Sequence, residues 1–422
     1  MNLWLPSGDP VRLGPALTGR TGEGAVHGVV GHPDLVAKVF HADLTGLATK
    51  LDKVAAMVAS APPGAVQPDG FVVLTWPQQV LVGPSGPVGY VMARIDTATA
   101  VELHTMSNPS DRTNPKPADP QWTRNATWGH LVNVAANLCL AVEVVHRVEA
   151  VIGDFQERNI LVSDTTRVTL VDCDSMQFTS GSGERFLCPV GRPEFTAPEL
   201  ARLNLREHPR EKTSDLFALA VHIHQLLLAG NHPFLRGDWT GGGEQPDALS
   251  LAIAGEWAGG PNSRLRTHPL APSILFLPND VQHLFVRAFT TGATDPAARP
   301  SAAEWRRALS QIRLTTCAAG AHHIPAGAVL CPWCAIDVER AARRTGSRPA
   351  ARPYPSAPAR PAAPALTGPR TAPRPAVPEP APDTFFGMRS RTYLVALASV
   401  VVVVVALAVF IVWALLSGTA SL

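Results

Sequence analysis

Short apolar runs broken by Gly and Pro fill residues 1–95, and runs of that length predict strands. Residues 71–76 and 88–95 are two of them. Past residue 95 the period changes to that of helices. Residues 128–148 repeat their apolar positions at helical spacing and predict a core helix. Residues 217–228 are nearly all apolar, as in a helix buried on every side. His222 and His224 on it are expected to be packed or capped, because a helical metal pair uses i, i+4 spacing. Two shorter runs, Ile160-Leu-Val and Val168-Thr-Leu-Val, predict a hairpin. From residue 345 to 383 the chain is rich in Pro, Ala and Arg with no periodicity, which predicts a partly polyproline linker without a core. Residues 393–416 then run without a charge, long enough to span a bilayer.

The predicted hairpin carries the most informative polar residues. Gly-Asp154-Phe-Gln-Glu-Arg-Asn159 precedes its first strand, and Asp172-Cys-Asp174 follows its second. Phosphoryl transfer from ATP needs such groups: one carboxylate to orient the acceptor hydroxyl, and an amide with a second carboxylate to hold the metal on the phosphates. Alone, an Asp and an Asn five residues apart are weak evidence, since both are ordinary turn residues. Other motifs fall around them in a definite order. Gly19-Arg-Thr-Gly22-Glu-Gly24-Ala-Val26 is a glycine-rich loop, equally readable as a tight hairpin turn. Lys38 sits in Leu-Val-Ala-Lys-Val, and could equally be an edge-strand lysine facing water. Phe195-Thr-Ala-Pro-Glu199, Ser214-Asp215 and Asp295-Pro-Ala-Ala-Arg299-Pro follow.

In this order the motifs resemble those of a protein kinase domain over about residues 13–313, of the bacterial kind with Asp-x-Asp where most kinases have Asp-Phe-Gly. The resemblance implies an α+β, two-lobed fold and a Ser/Thr kinase activity. It makes Asp154 and Lys38 catalytic, and Asn159 and Asp172 the Mg²⁺ (or Mn²⁺) ligands. Gly19, Gly22, Gly24, Val26, Lys38 and Met92 would line the ATP site. Glu199 and Arg299 would form a buried ion pair, and Asp215 would accept N–H groups of the catalytic loop. The departures are equally plain. No Glu lies between Glu23 and Glu102, so the helix expected over 45–59 lacks the usual acid for Lys38, leaving Asp52 as the candidate substitute. Ile152 and Gly153 replace the usual His-Arg, which removes the clamp for a phosphorylated activation loop. Gln156 replaces a Lys. Asp174 replaces a Gly, as a further metal ligand or a turn cap. A pseudokinase scaffold and a small-molecule kinase are the rival classes.

Cysteine usage adds a second chemistry. Cys139, Cys173 and Cys188 are scattered and read as free thiols. Cys317, Cys331 and Cys334 cluster with His322 and His323 in a segment too short to bury a core. Three Cys and one of the two His fit a structural Zn²⁺, with a disulfide or a redox Cys-x-x-Cys as rivals. A formal charge of +2 without a basic stripe leads us to expect no nucleic-acid partner. Residues 1–20 lack the apolar core of a signal peptide. Arg389 and Arg391 before the apolar run 393–416 orient a single-pass span with the kinase side in the cytoplasm of the cell (inner) membrane. The expected organisation is an N-lobe over 1–95, a C-lobe over 96–313, a zinc-knuckle module over 314–338, a linker over 339–388 and a transmembrane segment with a short tail over 389–422. The expected partners are ATP, a protein substrate and the membrane.

Overall fold

The computed structural model describes residues 2–18, 22–345, 384–385 and 388–389. The expected membrane span over 393–416 and most of the expected linker lie outside the described residues. Residues 1–350 and 351–422 are separate units. Within the second, Thr384–Phe385 pairs antiparallel with Met388–Arg389.

The N-terminal part is one antiparallel sheet. Its strands are β1 (Leu3–Trp4), β2 (Pro10–Val11), β3 (Leu13–Ala16), β4 (Gly24–Val29), β5 (His32–Phe40), β6 (Gln79–Gly83) and β7 (Gly86–Ala93), in the order β2-β1-β6-β7-β5-β4-β3. Strand alternation divides its side chains between two faces. Leu3, Val11, Val29, Ala37, Leu81 and Val91 pack together on one. Val36, Phe40, Tyr90 and Met92 pack on the other with Val54 of helix α1 (Leu47–Val58). Register puts Val26 opposite Lys38 and Lys38 opposite Tyr90, so these three share the α1 face. One expected strand is absent. Residues 71–76 form an extended segment held by Val73 N–H to Ala65 O, and by Thr75 N–H to Leu170 O. Its apolar side chains are buried against the helical part instead of alternating on the sheet.

Helices dominate from residue 103. After β8 (Val101–Glu102) come α2 (Leu103–Ser107), α3 (Pro109–Thr113), α4 (Trp128–His146) and α5 (Lys212–Leu227). Thr127 and His130 close the N-terminus of α4 by reciprocal side-chain hydrogen bonds. Among the described residues α4 is the one helix long and apolar enough to cross a membrane, but two thirds of it is buried, so it serves as a core helix. It packs on α5 and on the helix Ala302–Ser310. Leu131, Leu138, Leu219, Leu226, Phe285 and Trp305 are buried in this core, where each large apolar side chain stabilises by about 1.5–3 kcal/mol. Strands β9 (Ile160–Val162) and β10 (Val168–Leu170) form the hairpin expected from their pattern, with β8 alongside. The C-terminal helix Pro332–Thr345 extends past residue 338, so ordered chain runs into what was expected to be linker.

Candidate active site

The β9–β10 hairpin sets the geometry. Leu170 pairs with Ile160, and Val171 N–H donates to Asn159 O at 3.0 Å. That bond holds Asn159, just before β9, against Asp172, just after β10. Asp154 is tied into the same group. Its Oδ2 accepts from Gln156 Nε2 at 2.8 Å and from Asn159 Nδ2 at 3.3 Å, and Asn159 Nδ2 also donates to Asp154 O at 3.0 Å. Gln156 thus steadies Asp154 where the family's Lys would add a charge. With its nitrogen spent on Asp154, Asn159 has its amide oxygen left as a ligand. Asp172, its side chain 41% exposed, accepts from Lys38 Nζ on Oδ1 and has Oδ2 left. Oxygen donors of this kind suit Mg²⁺ or Mn²⁺. Asp172 adopts φ 58°, a left-handed conformation that costs a non-glycine residue roughly 1 kcal/mol or more.

Lys38 is buried at the centre of an ionic cluster. Its ammonium meets Asp172 Oδ1 at 2.6 Å and Asp174 at 2.8 and 3.0 Å. Asp174 has a side-chain exposure of 0% and also accepts from Tyr90 Oη at 2.7 Å and pairs with Lys50 of α1 at 3.1 Å. Lys50 in turn pairs with Glu23 of the glycine-rich loop. Asp174 is therefore neither a turn cap nor, as it stands, a free metal ligand; it is the acid that neutralises Lys38. Asp52, expected as the substitute, is exposed on the far side of α1. The helix turns Lys50 and Lys53 toward the cluster instead, so the sign usual at this position is inverted.

The charges shift one another. Burial would lower the pKa of Lys38, but Asp174 and Asp172 beside it override this and hold it above the usual lysine value. Burial would raise Asp174, but Lys38 and Lys50 hold it well below the usual carboxylate range. Burial and the Asp174 charge raise Asp172, making it the more readily protonated of the two acids. Burial, helped by the Lys50 charge, pushes Lys53 down to about 8.

Gly19 lies outside the described residues. Gly22 is left-handed, with φ 55°, as a loop glycine can be at no cost. Gly24 has a different reason for being glycine: a Cβ there would collide with the Val39 carbonyl oxygen of β5. Met92 is buried opposite Val36, next to Ala93 at the end of β7, and Val26 is half-buried on the same face.

Around these residues the lower part is braced. Asp215, at the start of α5, accepts from Ile152 N–H at 2.8 Å and Gly153 N–H at 3.1 Å, and bonds His146 at 2.9 Å. Arg299, with its side chain fully buried, forks onto Glu199 at 2.7 and 2.6 Å and also donates to Gly292 O and Thr213 O. Both arrangements are those the resemblance implies. One residue was missed. Arg210, buried, donates to the carbonyls of Gly153, Cys188 and Val190. It ties the stretch around Cys188 and Val190 to Gly153, just before Asp154, through backbone oxygens. A Cβ on Gly153, at φ 72°, would press on Cys188 Sγ at 2.8 Å, so glycine permits this contact. Nothing in the local motif flags Arg210. His222 and His224 are packed as expected, bonded to Phe155 O and Asn231 O, and burial lowers the pKa of both.

A second cluster lies beyond the kinase-like core. Strand Leu314–Thr316 pairs with His323–Pro325, and the turn between them brings His322 back toward Cys317. Cys331 and Cys334 sit at the start of the helix Pro332–Thr345. His322 Nδ1 is 4.0 Å from Cys317 Sγ, 3.6 Å from Cys331 Sγ and 3.5 Å from Cys334 Sγ, and all four ligand atoms lie within 4.8 Å of one another. Metal–sulfur bonds of ~2.3 Å and metal–nitrogen bonds of ~2.05 Å, set tetrahedrally, would separate S and N by about 3.5 Å. The donor set and spacing fit Zn²⁺. Of the two histidines left open, His323 falls outside this group and lies near Gly129 of α4.

The comparisons with known proteins support a protein kinase-like domain. Over 348 residues the chain is 31% identical to protein kinase YegI of Escherichia coli strain K12, an alignment covering 80% of this chain and 50% of that protein. It is 32% identical over 346 residues to protein kinase YegI of Escherichia coli O157:H7, covering 79% and 50%. Over 100 residues it is 29% identical to the cAMP-dependent protein kinase catalytic subunit 2 of Drosophila melanogaster, covering 24% and 26%. The chain spans about half the length of the YegI proteins. No family model matches it.

Proposed function

We propose that this chain is a protein kinase that moves the γ-phosphoryl group of ATP to a Ser or Thr hydroxyl of a protein substrate. The observation that carries this reading is the joining of Asp154, Asn159, Asp172 and Lys38 by the β9–β10 hairpin and β5. Asp154, steadied by Gln156 and Asn159, orients the acceptor hydroxyl and takes its proton. Asn159 and Asp172 would hold Mg²⁺ or Mn²⁺, which when bound neutralises charge on the phosphates. Lys38 positions the phosphates from below the glycine-rich loop, and Val26, Val36 and Met92 offer the apolar face for the adenine. In the second cluster, Cys317, His322, Cys331 and Cys334 would hold a structural Zn²⁺ that staples a segment with little core of its own.

The uncharged run 393–416, with Arg389 and Arg391 before it, supports a single membrane span with the kinase-like domain in the cytoplasm. Substrates at or near the membrane would then be within reach.

The direct test incubates the full chain with γ-labelled ATP, Mg²⁺ or Mn²⁺, and a generic protein acceptor. Asp154→Ala should cut transfer about 10²-fold or more, the range for a positioned general base. A second reading, a nucleotide-binding pseudokinase scaffold, is favoured by one observation: Lys38 is held by two carboxylates while α1 offers cations. It predicts ATP binding without transfer.

A further inference from the structure

The inversion of charge on α1 has a consequence for nucleotide. Lys38 and Lys50 both bond the Asp174 carboxylate, Lys38 at 2.8 Å and Lys50 at 3.1 Å, so the two ammonium groups stand side by side. They flank one ring, Phe40, at 5.7 and 5.8 Å from its centroid. Lys53 lies one turn further along the same face of α1 and is buried. Three lysines therefore converge where a strand lysine and a helix glutamate would give no net charge. Three carboxylates face them, and they are not equivalent. Asp174 is fully buried and bonded by Lys38, Lys50 and Tyr90, so it is fixed. Asp172 follows β10. Glu23 alone sits on the glycine-rich loop, its side chain is 42% exposed, and its partner is Lys50, 13% exposed.

That pair joins the element that covers phosphates to the helix behind them. Glu23 is partly exposed as a side chain, though its oxygen facing Lys50 is buried, and a phosphoryl oxygen accepts the same kind of charge-assisted bond from an ammonium group. With Glu23 displaced, Lys50 remains anchored on its other side by Asp174, pointing at the space between Lys38 and the loop. Resting on the kinase reading, we propose that Lys50 is a second phosphate-binding lysine, with Glu23 holding its place until the phosphates of ATP take over. The acid the helix lacks is thus supplied by Asp174, and the helix itself adds a positive charge aimed at the β- and γ-phosphates. Adenosine monophosphate, with only its α-phosphate, would gain little from it.

The test measures binding of ATP and of AMP, each with Mg²⁺, to the full chain and to Lys50→Met and Lys50→Arg by calorimetry. One charge-assisted hydrogen bond lost to a buried-edge ammonium should weaken ATP about tenfold or more. Lys50→Met should show that loss for ATP and none for AMP, and Lys50→Arg, which keeps the charge, should lose less ATP affinity than Lys50→Met. Unchanged ATP affinity in Lys50→Met overturns the proposal, and so does an equal loss for ATP and AMP, which would make Lys50 a purely structural partner of Asp174. If the wild-type chain binds neither nucleotide, the kinase reading itself fails and the proposal with it; if ATP binds normally and Lys50 is indifferent, only the proposal fails. Unfolding of Lys50→Met would be seen directly as a lost thermal transition, whatever it binds, and Lys50→Gln, which keeps a donor for Asp174, then repeats the comparison with the same two outcomes.

Discussion

Replacing Asp174 by Asn removes one charge and almost no volume from the centre of the ionic cluster. The wild-type carboxylate is fully buried and accepts from Lys38 at 2.8 and 3.0 Å and from Tyr90 at 2.7 Å, and pairs with Lys50 at 3.1 Å. Taking one partner from a buried ion pair costs about 3–5 kcal/mol, because the remaining charge is left uncompensated. Here Lys38 keeps Asp172 and Lys50 keeps Glu23, both partly exposed acids, so the lower end, about 3 kcal/mol, is expected. For a domain of this size each kcal/mol moves the melting temperature by roughly 2–4 °C, which gives a drop of roughly 6–12 °C. The assay is thermal melting of the full chain at pH 7, followed by intrinsic fluorescence. The pH dependence has a definite sign. A carboxylate depressed in the folded state stabilises at pH values above its unfolded pKa of about 3.9, and that contribution fades as pH falls further. The gap between wild type and Asp174→Asn should therefore be constant from pH 5 to 8 and narrow by roughly 1 kcal/mol per pH unit below about 4. A drop under about 2 °C at pH 7, or a gap that does not narrow in acid, would refute the assignment of Asp174 as the charged partner of both lysines.

Lys53→Met should stabilise the chain at pH 7 by about 3 kcal/mol, because it removes a buried ammonium whose pKa burial pushes down to about 8. Wild-type stability then rises between pH 8 and about 10.4 as the folded state sheds that proton first, so the advantage should close over that interval; an advantage independent of pH would contradict it. His322→Ala should lose the bound zinc and His323→Ala should keep about one per chain, measured by elemental analysis of the purified protein; equal retention in both would exclude His322 as a ligand. Glu199→Ala should cost about 3 kcal/mol in the same melting assay, since it strands the buried Arg299 guanidinium; a shift within error would mean that the Gly292 and Thr213 carbonyls suffice.

Much of the site is local in the chain, and that part was readable. Asp154, Asn159 and Asp172 flank a hairpin of two short strands, Ile160–Val162 and Val168–Leu170, so their convergence follows from strand pairing alone. Lys38 and Tyr90 meet because β5 and β7 pair in register, which alternation suggests but cannot number. The rest depends on contacts far apart in sequence. Asp174 looked like a turn residue because nothing nearby in the chain says that Lys38 and Lys50 will bury it. Asp52 looked like the substitute acid because of its spacing, yet helical phase turns Lys50, Lys53 and Val54 inward and leaves Asp52 in water. Arg210 carries no motif, and its carbonyl partners are created by the path of the stretch around Cys188 and Val190. Residues 71–76 have a strand's composition, but their backbone partners, Ala65 and Leu170 among them, lie outside the N-terminal sheet and their side chains are buried against the helical core, so burial there needed no alternation. Spacing left His322 and His323 equal; the hairpin Leu314–Thr316 with His323–Pro325 separates them, because neighbouring residues at a strand's start face different ways.

The central claim is that the hairpin-borne acids carry out phosphoryl transfer, and the measurement closest to it is the rate at which the full chain moves the γ-phosphoryl of labelled ATP to a protein acceptor, compared with Asp154→Ala at equal ATP occupancy. The account predicts transfer by the wild type that requires Mg²⁺ or Mn²⁺ and falls about 10²-fold or more in the variant, with ATP binding retained. Equal rates in the two proteins, or ATP binding with no transfer by the wild type under any metal, would contradict it.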